Sequence, residues 1–171
     1  MGGGLNVNVQ MTFQNPPEAL ARETARATRE AMRAVARYHW RHRIPLRFQL
    51  TSAQAPLAQQ LGFQPRTKAY EIRKAKTLGH RRPLVLTGGM EQAVTSTFQE
   101  PRATRRSGRV TATLRLFAPF YVRFRGRSGT GPDMRAELSA ITEQEAQQYA
   151  EMTNRNIQNR IRRMRERRRS R

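Results

Sequence analysis

Residues 109–117, Arg109-Val110-Thr111-Ala112-Thr113-Leu114-Arg115-Leu116-Phe117, decide the fold class. Val110, Ala112, Leu114 and Leu116 fall on one side of an extended chain, and Thr111, Thr113 and Arg115 on the other. That is the two-residue period of a half-buried strand. Such a strand needs a partner and a layer over its apolar face. The preceding residues predict the partner: 90–99 reads as a strand with Val94 and Phe98 on one side. Residues 101–108 then form a basic loop, so that Arg102, Arg105, Arg106 and Arg109 ring a hairpin. Beyond Pro119, Phe120, Val122 and Phe124 alternate with Tyr121, Arg123 and Arg125 as an edge strand, followed by a Gly-rich turn over 126–132. At the chain start, Leu5, Val7, Val9, Met11 and Phe13 alternate with Asn6, Asn8, Gln10 and Thr12, a further strand over 5–13.

Helices supply the covering layer. Asn15-Pro16-Pro17 ends the first strand and opens a helix, because proline is tolerated in a first turn. The spacing predicts one long helix over 17–42, with Leu20, Thr24, Ala27, Ala31, Val35 and Tyr38 as a thin apolar face. Arg22, Arg26, Arg29 and Arg33 lie mainly off it, and Pro45 is expected to stop it. Short helices follow at 52–61, closed by Gly62, and at 67–78, closed by Gly79. Thr142-Glu143-Gln144-Glu145 fits a capping box. The helix beyond it presents Tyr149, Met152, Ile157, Ile161 and Met164 at mostly three- and four-residue steps. The fold class is therefore α+β: a long N-terminal helix packed on a small, mainly antiparallel sheet, with a C-terminal helix and a basic arm.

Charge is the other strong signal. Lys and Arg number 33 against 12 Asp and Glu, a formal net charge of +21 over 171 residues. Self-repulsion on that scale calls for anions nearby. Residues 160–171 hold eight Arg and one Glu. Arg160, Arg162, Arg163, Arg165, Arg167, Arg168, Arg169 and Arg171 are candidate contacts to nucleic-acid phosphates or to an acidic protein surface, as are Arg102, Arg105, Arg106 and Arg109 of the expected hairpin. Charge alone does not choose between these partners. Cysteine is absent, which excludes a disulfide framework and a thiolate metal site. No apolar run approaches the roughly 20 residues needed to span a bilayer, and the first residues lack the pattern of a secretory signal.

Chemistry-bearing patterns are weak. His39 and His42 lie three apart at a helix end, but a metal site wants a third ligand, so ordinary packing is the stronger reading. Glu143 and Glu145 are better explained by helix capping than by acid–base work. Gly88-Gly89 is not followed by the Lys-Ser or Lys-Thr of a phosphate-binding loop. No nucleophile–base–orienter set stands out. The chain reads as a non-enzyme with no cofactor. Tyr38, Trp40, Phe120 and Tyr121 are aromatics near basic residues, yet no nucleic-acid motif frames them, and packing is the stronger reading.

Several short motifs carry a resemblance: His39-Trp40-Arg41-His42-Arg43-Ile44-Pro45; Leu61-Gly62-Phe63-Gln64-Pro65-Arg66; Tyr70 with Arg73-Lys74; and Pro83-Leu84-Val85-Leu86-Thr87-Gly88. Together they resemble the small morphogenesis proteins encoded among tailed-bacteriophage head–tail genes. The late Met134, Glu137, Leu138, Ile141, Thr142 and Glu145 resemble the start of a helix in the broader tail-completion group. The resemblance spans most of residues 5–155. Gly89 departs from it, since a polar or basic residue is commoner there, and the arginine run is outside it.

The resemblance implies a structural virion protein of the phage neck that joins the portal or connector side to the tail within an oligomeric ring. It implies a homo-oligomer, portal/connector and tail-terminator or tail-tube proteins as partners, and no cofactor. In such a ring the basic residues could meet packaged DNA non-specifically or a neighbour's acidic side chains, and no membrane is expected. Its place would be the virion neck, after assembly in the host cytoplasm. On this reading 1–155 is a tail-completion-like α+β domain and 156–171 an arginine-rich helical extension or arm. The rival class, favoured by the +21 charge with aromatic residues interspersed, is a nucleic-acid-binding module of ribosomal or nucleoid-associated type acting through basic patches.

Overall fold

A computed structural model describes residues 3–12, 18–85, 88–106, 109–118 and 132–169. In chain order these are strand β1 (Gly3–Thr12), helix α1 (Glu18–Tyr38), a π-helical turn (His39–Arg43), helices α2 (Ile44–Gln49), α3 (Pro56–Gln60), α4 (Lys68–Leu78) and α5 (Gly89–Ser96), strands β2 (Arg102–Arg106) and β3 (Arg109–Ala118), and helices α6 (Met134–Ser139) and α7 (Glu143–Arg169). The sheet has the order β1-β3-β2. The architecture is α+β, with a long N-terminal helix on a small sheet and a long C-terminal helix.

The chain divides into two compact units. The first is drawn from Met1–Asn6, His39–Gln99 and Arg115–Thr142, the second from Val7–Tyr38, Glu100–Leu114 and Glu143–Arg171.

In the second unit, α1 packs on both β2 and α7. The expected apolar face of α1 is present: Ala27, Ala31 and Val35 are buried, joined by Thr28, Met32 and Ala36. Met32 meets Ala103, Val110 and Ala112 of the sheet. Small residues on both sides let helix and sheet approach closely. Alternation along β3 holds as read: Val110, Ala112 and Leu114 are buried, Thr111 and Thr113 half-buried. From α7, Tyr149, Thr153 and Ile157 turn inward at four-residue steps.

Two expectations about the sheet are corrected. Residues 90–99 are not a strand, because Gly89–Ser96 is helical. Val94 and Phe98 are four apart, a spacing that suits both an even strand period and a helical turn. Gly88, at φ 79°, starts the helix, and Met90 and Val94 form its buried face. The partner of β3 is instead β2, in antiparallel register with Ala103 opposite Ala112 and Arg106 opposite Arg109. The basic loop expected at 101–108 is therefore mostly strand. Ala103 is its one buried apolar residue, too little for a visible two-residue pattern.

The long helix expected over 17–42 ends at Tyr38; the π-helical turn at His39–Arg43 belongs to the first unit, and Pro45 is not where the helix stops. Pro45 sits in the first turn of α2. A proline inside a continuous α-helix would clash with the carbonyl four residues back. The wider turn at His39–Arg43 precedes a fresh helix start in which proline is tolerated. Helix α4 matches its expected span, whereas α3 is shorter than the expected 52–61, because it starts only at Pro56, which sits in its first turn. Thr67 Oγ1 accepts from Tyr70 N at 3.3 Å, and Gly79, at φ 71°, closes α4 with its N–H on Ala75 O. Helix α6 was not expected. It is capped by Asp133, whose Oδ1 accepts from Ala136 N at 3.0 Å. The edge strand expected at 120–125 lies outside the described residues, as does most of the 126–132 turn.

Candidate functional site

In the second unit a groove of about 400 Å³ runs between α1 and α7. Ala27, Ala31 and Ala34 line one side, with Glu30 beside them; Asn156, Asn159, Arg160, Arg163, Met164 and Arg167 line the other. The spacing explains both walls. Residues three, four and seven apart share a helix face, so the alanines stack on α1 and the arginines on α7. Alanine leaves space where a larger side chain would fill the groove.

The charges along this groove are unequal. Glu30 is the acidic lining residue. It accepts from Arg26 Nε at 3.3 Å and is paired with Arg160. Its charge is thus shared between two guanidinium groups, and Arg163 and Arg167 add to the cationic wall. Upstream, Tyr38 and Tyr149 meet edge to face at 6.4 Å, and Gln148 Nε2 donates to Tyr38 Oη at 3.3 Å. These contacts fix α7 against α1 where the groove begins.

Of the residues singled out in the sequence, Arg160, Arg163 and Arg167 come together here. Arg162 is exposed and donates to Glu166 Oε1 at 3.0 Å. Arg165, Arg168 and Arg169 continue α7, Arg102, Arg105 and Arg106 belong to β2, and Arg109 opens β3. Arg102 is exposed. Arg171 lies outside the described residues. On the same unit Arg37 Nε donates to both Glu100 oxygens at 3.1 and 3.2 Å. That hydrogen bond holds the Glu100 carboxyl below its ordinary range and raises the Arg37 guanidinium. Both side chains are half-exposed, so the pair contributes little stability.

The first unit uses its buried polar groups differently. Arg66 and Glu137 form a bidentate pair at 2.7 Å for each bond. Lys74 Nζ donates to Arg82 O at 2.6 Å; burial, with Arg66 and Arg82 nearby, lowers its pKa. Arg47 is buried and donates to Arg43 O at 2.8 Å and Ala140 O at 2.6 Å. His39 is buried, and burial reinforced by Arg47 and Arg43 pushes its pKa down to about 3, so it is neutral at ordinary pH. His42 is exposed, so the two histidines do not present one metal-binding face. Trp40 Nε1 donates to Val94 O at 3.0 Å and its ring lies 4.7 Å from that of Phe98. Glu137, Lys74, Arg47 and Trp40 each hold backbone by a hydrogen bond.

Arg47 is not singled out by the sequence, and the motif residues Lys74, Arg66 and Glu137 give no sign there of their buried partners, because no local spacing links them. Sequence reading also missed the groove, whose floor is only alanine. Among the described residues no three His, Cys, Asp or Glu side chains are placed to hold a metal ion, and no helix is long and apolar enough to cross a membrane. No protein-family model, curated protein or solved structure matches the chain.

Proposed function

We propose that the chain is a non-enzymatic structural protein of a phage neck, joining the portal side to the tail as one subunit of an oligomeric ring. One observation carries the reading: motif residues behind the resemblance, distant in sequence, meet in the first unit. Arg66, from the Leu61–Arg66 motif, clasps Glu137 of the late motif. Lys74, of the Arg73-Lys74 motif, donates to the carbonyl of Arg82 and reaches that of Pro83 at 3.5 Å. Gly62 and Gly88 both adopt positive φ, the conformation for which glycine is the favoured residue. The motifs thus work as connected parts of one scaffold, and their polar groups hold backbone in place.

Deleting the gene tests the proposal. The expected result is DNA-filled heads beside separate tails, with normal particles restored by the gene supplied in trans. Imaging of intact particles should place the chain between portal and tail at ring stoichiometry. Normal tailed particles from the deletion strain would overturn it.

A further inference from the structure

We propose that the groove between α1 and α7 binds the phosphodiester backbone of a nucleic acid. This goes beyond the structural role above and stands on the second unit alone.

Arg160, Arg163 and Arg167 form one cationic wall, with Asn156 and Asn159 beside them. Arg160 to Arg167 spans about 10 Å of helix axis, since each residue rises about 1.5 Å. Along a duplex axis one strand carries a phosphate about every 3.4 Å, so a stretch of that length passes about three of them. Arginine suits this ligand, because its planar fork meets phosphate oxygens in pairs. Glu30 pairs with Arg26 and Arg160 and so offsets one positive charge at the near end of the wall, while Arg163 and Arg167 lie about one and two turns further along α7.

An acidic protein would meet the same cations, but protein interfaces draw most of their affinity from large apolar or aromatic anchors in central pockets. This groove offers three alanines and Met164 as its apolar lining. Protein–nucleic acid interfaces are more polar and more positively charged, as this one is. The net charge of +21 also calls for a partner with dense, repeated negative charge.

The test uses the full chain and a labelled oligonucleotide, single-stranded in one arm and duplex in the other, with anisotropy read across a salt series. Arg163→Gln/Arg167→Gln removes two charges from the groove. Arg41→Gln/Arg135→Gln removes two from exposed positions of the first unit. The groove pair should weaken binding at least tenfold at physiological salt, and should flatten the log–log salt slope by about 1.4–1.8, or 0.7–0.9 for each lost phosphate contact. The control pair should change affinity less than threefold. Tighter binding in one arm supports the proposal and identifies whether a free strand or a duplex supplies the phosphates. Equal losses in both variants would reduce the effect to net charge and overturn it. Displacement of the strand by poly-glutamate as effectively as by unlabelled strand would overturn it in favour of an acidic protein. Failure of this site leaves the position of the chain in the particle unaffected, so the two proposals fail separately.

Discussion

Arg66 and Glu137, 71 positions apart, face each other fork to fork, Nη1 on Oε1 and Nη2 on Oε2, each at 2.7 Å. The side chains are only 7% and 1% exposed. Glu137 Oε1 also accepts from Gln64 N at 3.0 Å, so one carboxylate holds both the arginine and the backbone that leads to it.

Removing one partner leaves a buried charge unanswered. Arg66→Ala or Glu137→Gln should each lower stability by about 3–5 kcal/mol. The double replacement Arg66→Met/Glu137→Met should cost well under the sum, because it removes both charges together. Urea unfolding of the four proteins measures this. Additive losses would show that the two groups do not support each other.

His39 gives a pH dependence with a definite sign. Its folded pKa is pushed down to about 3, below the unfolded value near 6.5. Between those values the unfolded chain binds a proton that the folded chain does not, so stability falls as pH falls. Each unit below about 6.5 removes up to about 1.4 kcal/mol through this group. His39→Gln should flatten the stability profile between pH 6.5 and 5 relative to the wild type. Parallel profiles would rule out a neutral buried His39.

The strand β3 and the helices α1 and α7 were legible because each repeats its apolar residues over two or more periods, and α4 was legible from the glycine that closes it. Val110, Ala112, Leu114 and Leu116 leave no other reading, and all four are buried. The stretch at 90–99 was misread because Val94 and Phe98 satisfy two periods at once, and the decisive feature is the backbone conformation of Gly88. Strand β2 was hidden because pairing with β3, and little side-chain burial of its own, defines it. The arginines of the groove were legible as a charged run. Which of them face α1 depends on helix phase and on alanines that look unremarkable in a sequence.

Gly79 and Gly88 are at φ 71° and 79°, and a Cβ built on either meets nothing within 4 Å. The cost of a side chain there is conformational rather than steric crowding by neighbours. Alanine should cost about 1–2 kcal/mol at each site. Asparagine should cost less, because its side chain tolerates the left-handed region. Thermal melts of the four variants test the ranking, and alanine equal to or better than asparagine would contradict it.

Leu114 is 1% exposed in the second unit. Leu114→Asp would bring an ionised carboxylate into an apolar layer with no designed partner, a cost large enough to unfold a marginal domain. The expected outcome is loss of cooperative unfolding or of soluble protein. Leu114→Met, close in volume, should cost less than about 1.5 kcal/mol. Normal melting of the aspartate variant would show that this face of β3 is not the inner one.

Ending the chain after Arg163 should separate stability from charge. Tyr149, Thr153 and Ile157, the residues of α7 that turn inward, all remain. What leaves includes half-buried Met164 and exposed Glu166 and Arg167. The lost Arg162–Glu166 pair joins well-exposed side chains, a contact of small worth. The removed segment carries five Arg against one Glu, so self-repulsion within the chain also falls. The melting temperature should therefore shift by only a few degrees. On the proposed neck role, incorporation into particles should weaken, and weaken further as salt rises, because fewer cationic contacts would remain and salt would screen them. Sedimented particles probed for full-length and truncated chain across a salt series give the comparison. Equal incorporation at every salt would show that the last turns of α7 hold nothing in the assembly. A collapse in melting temperature would instead place part of the core beyond Arg163.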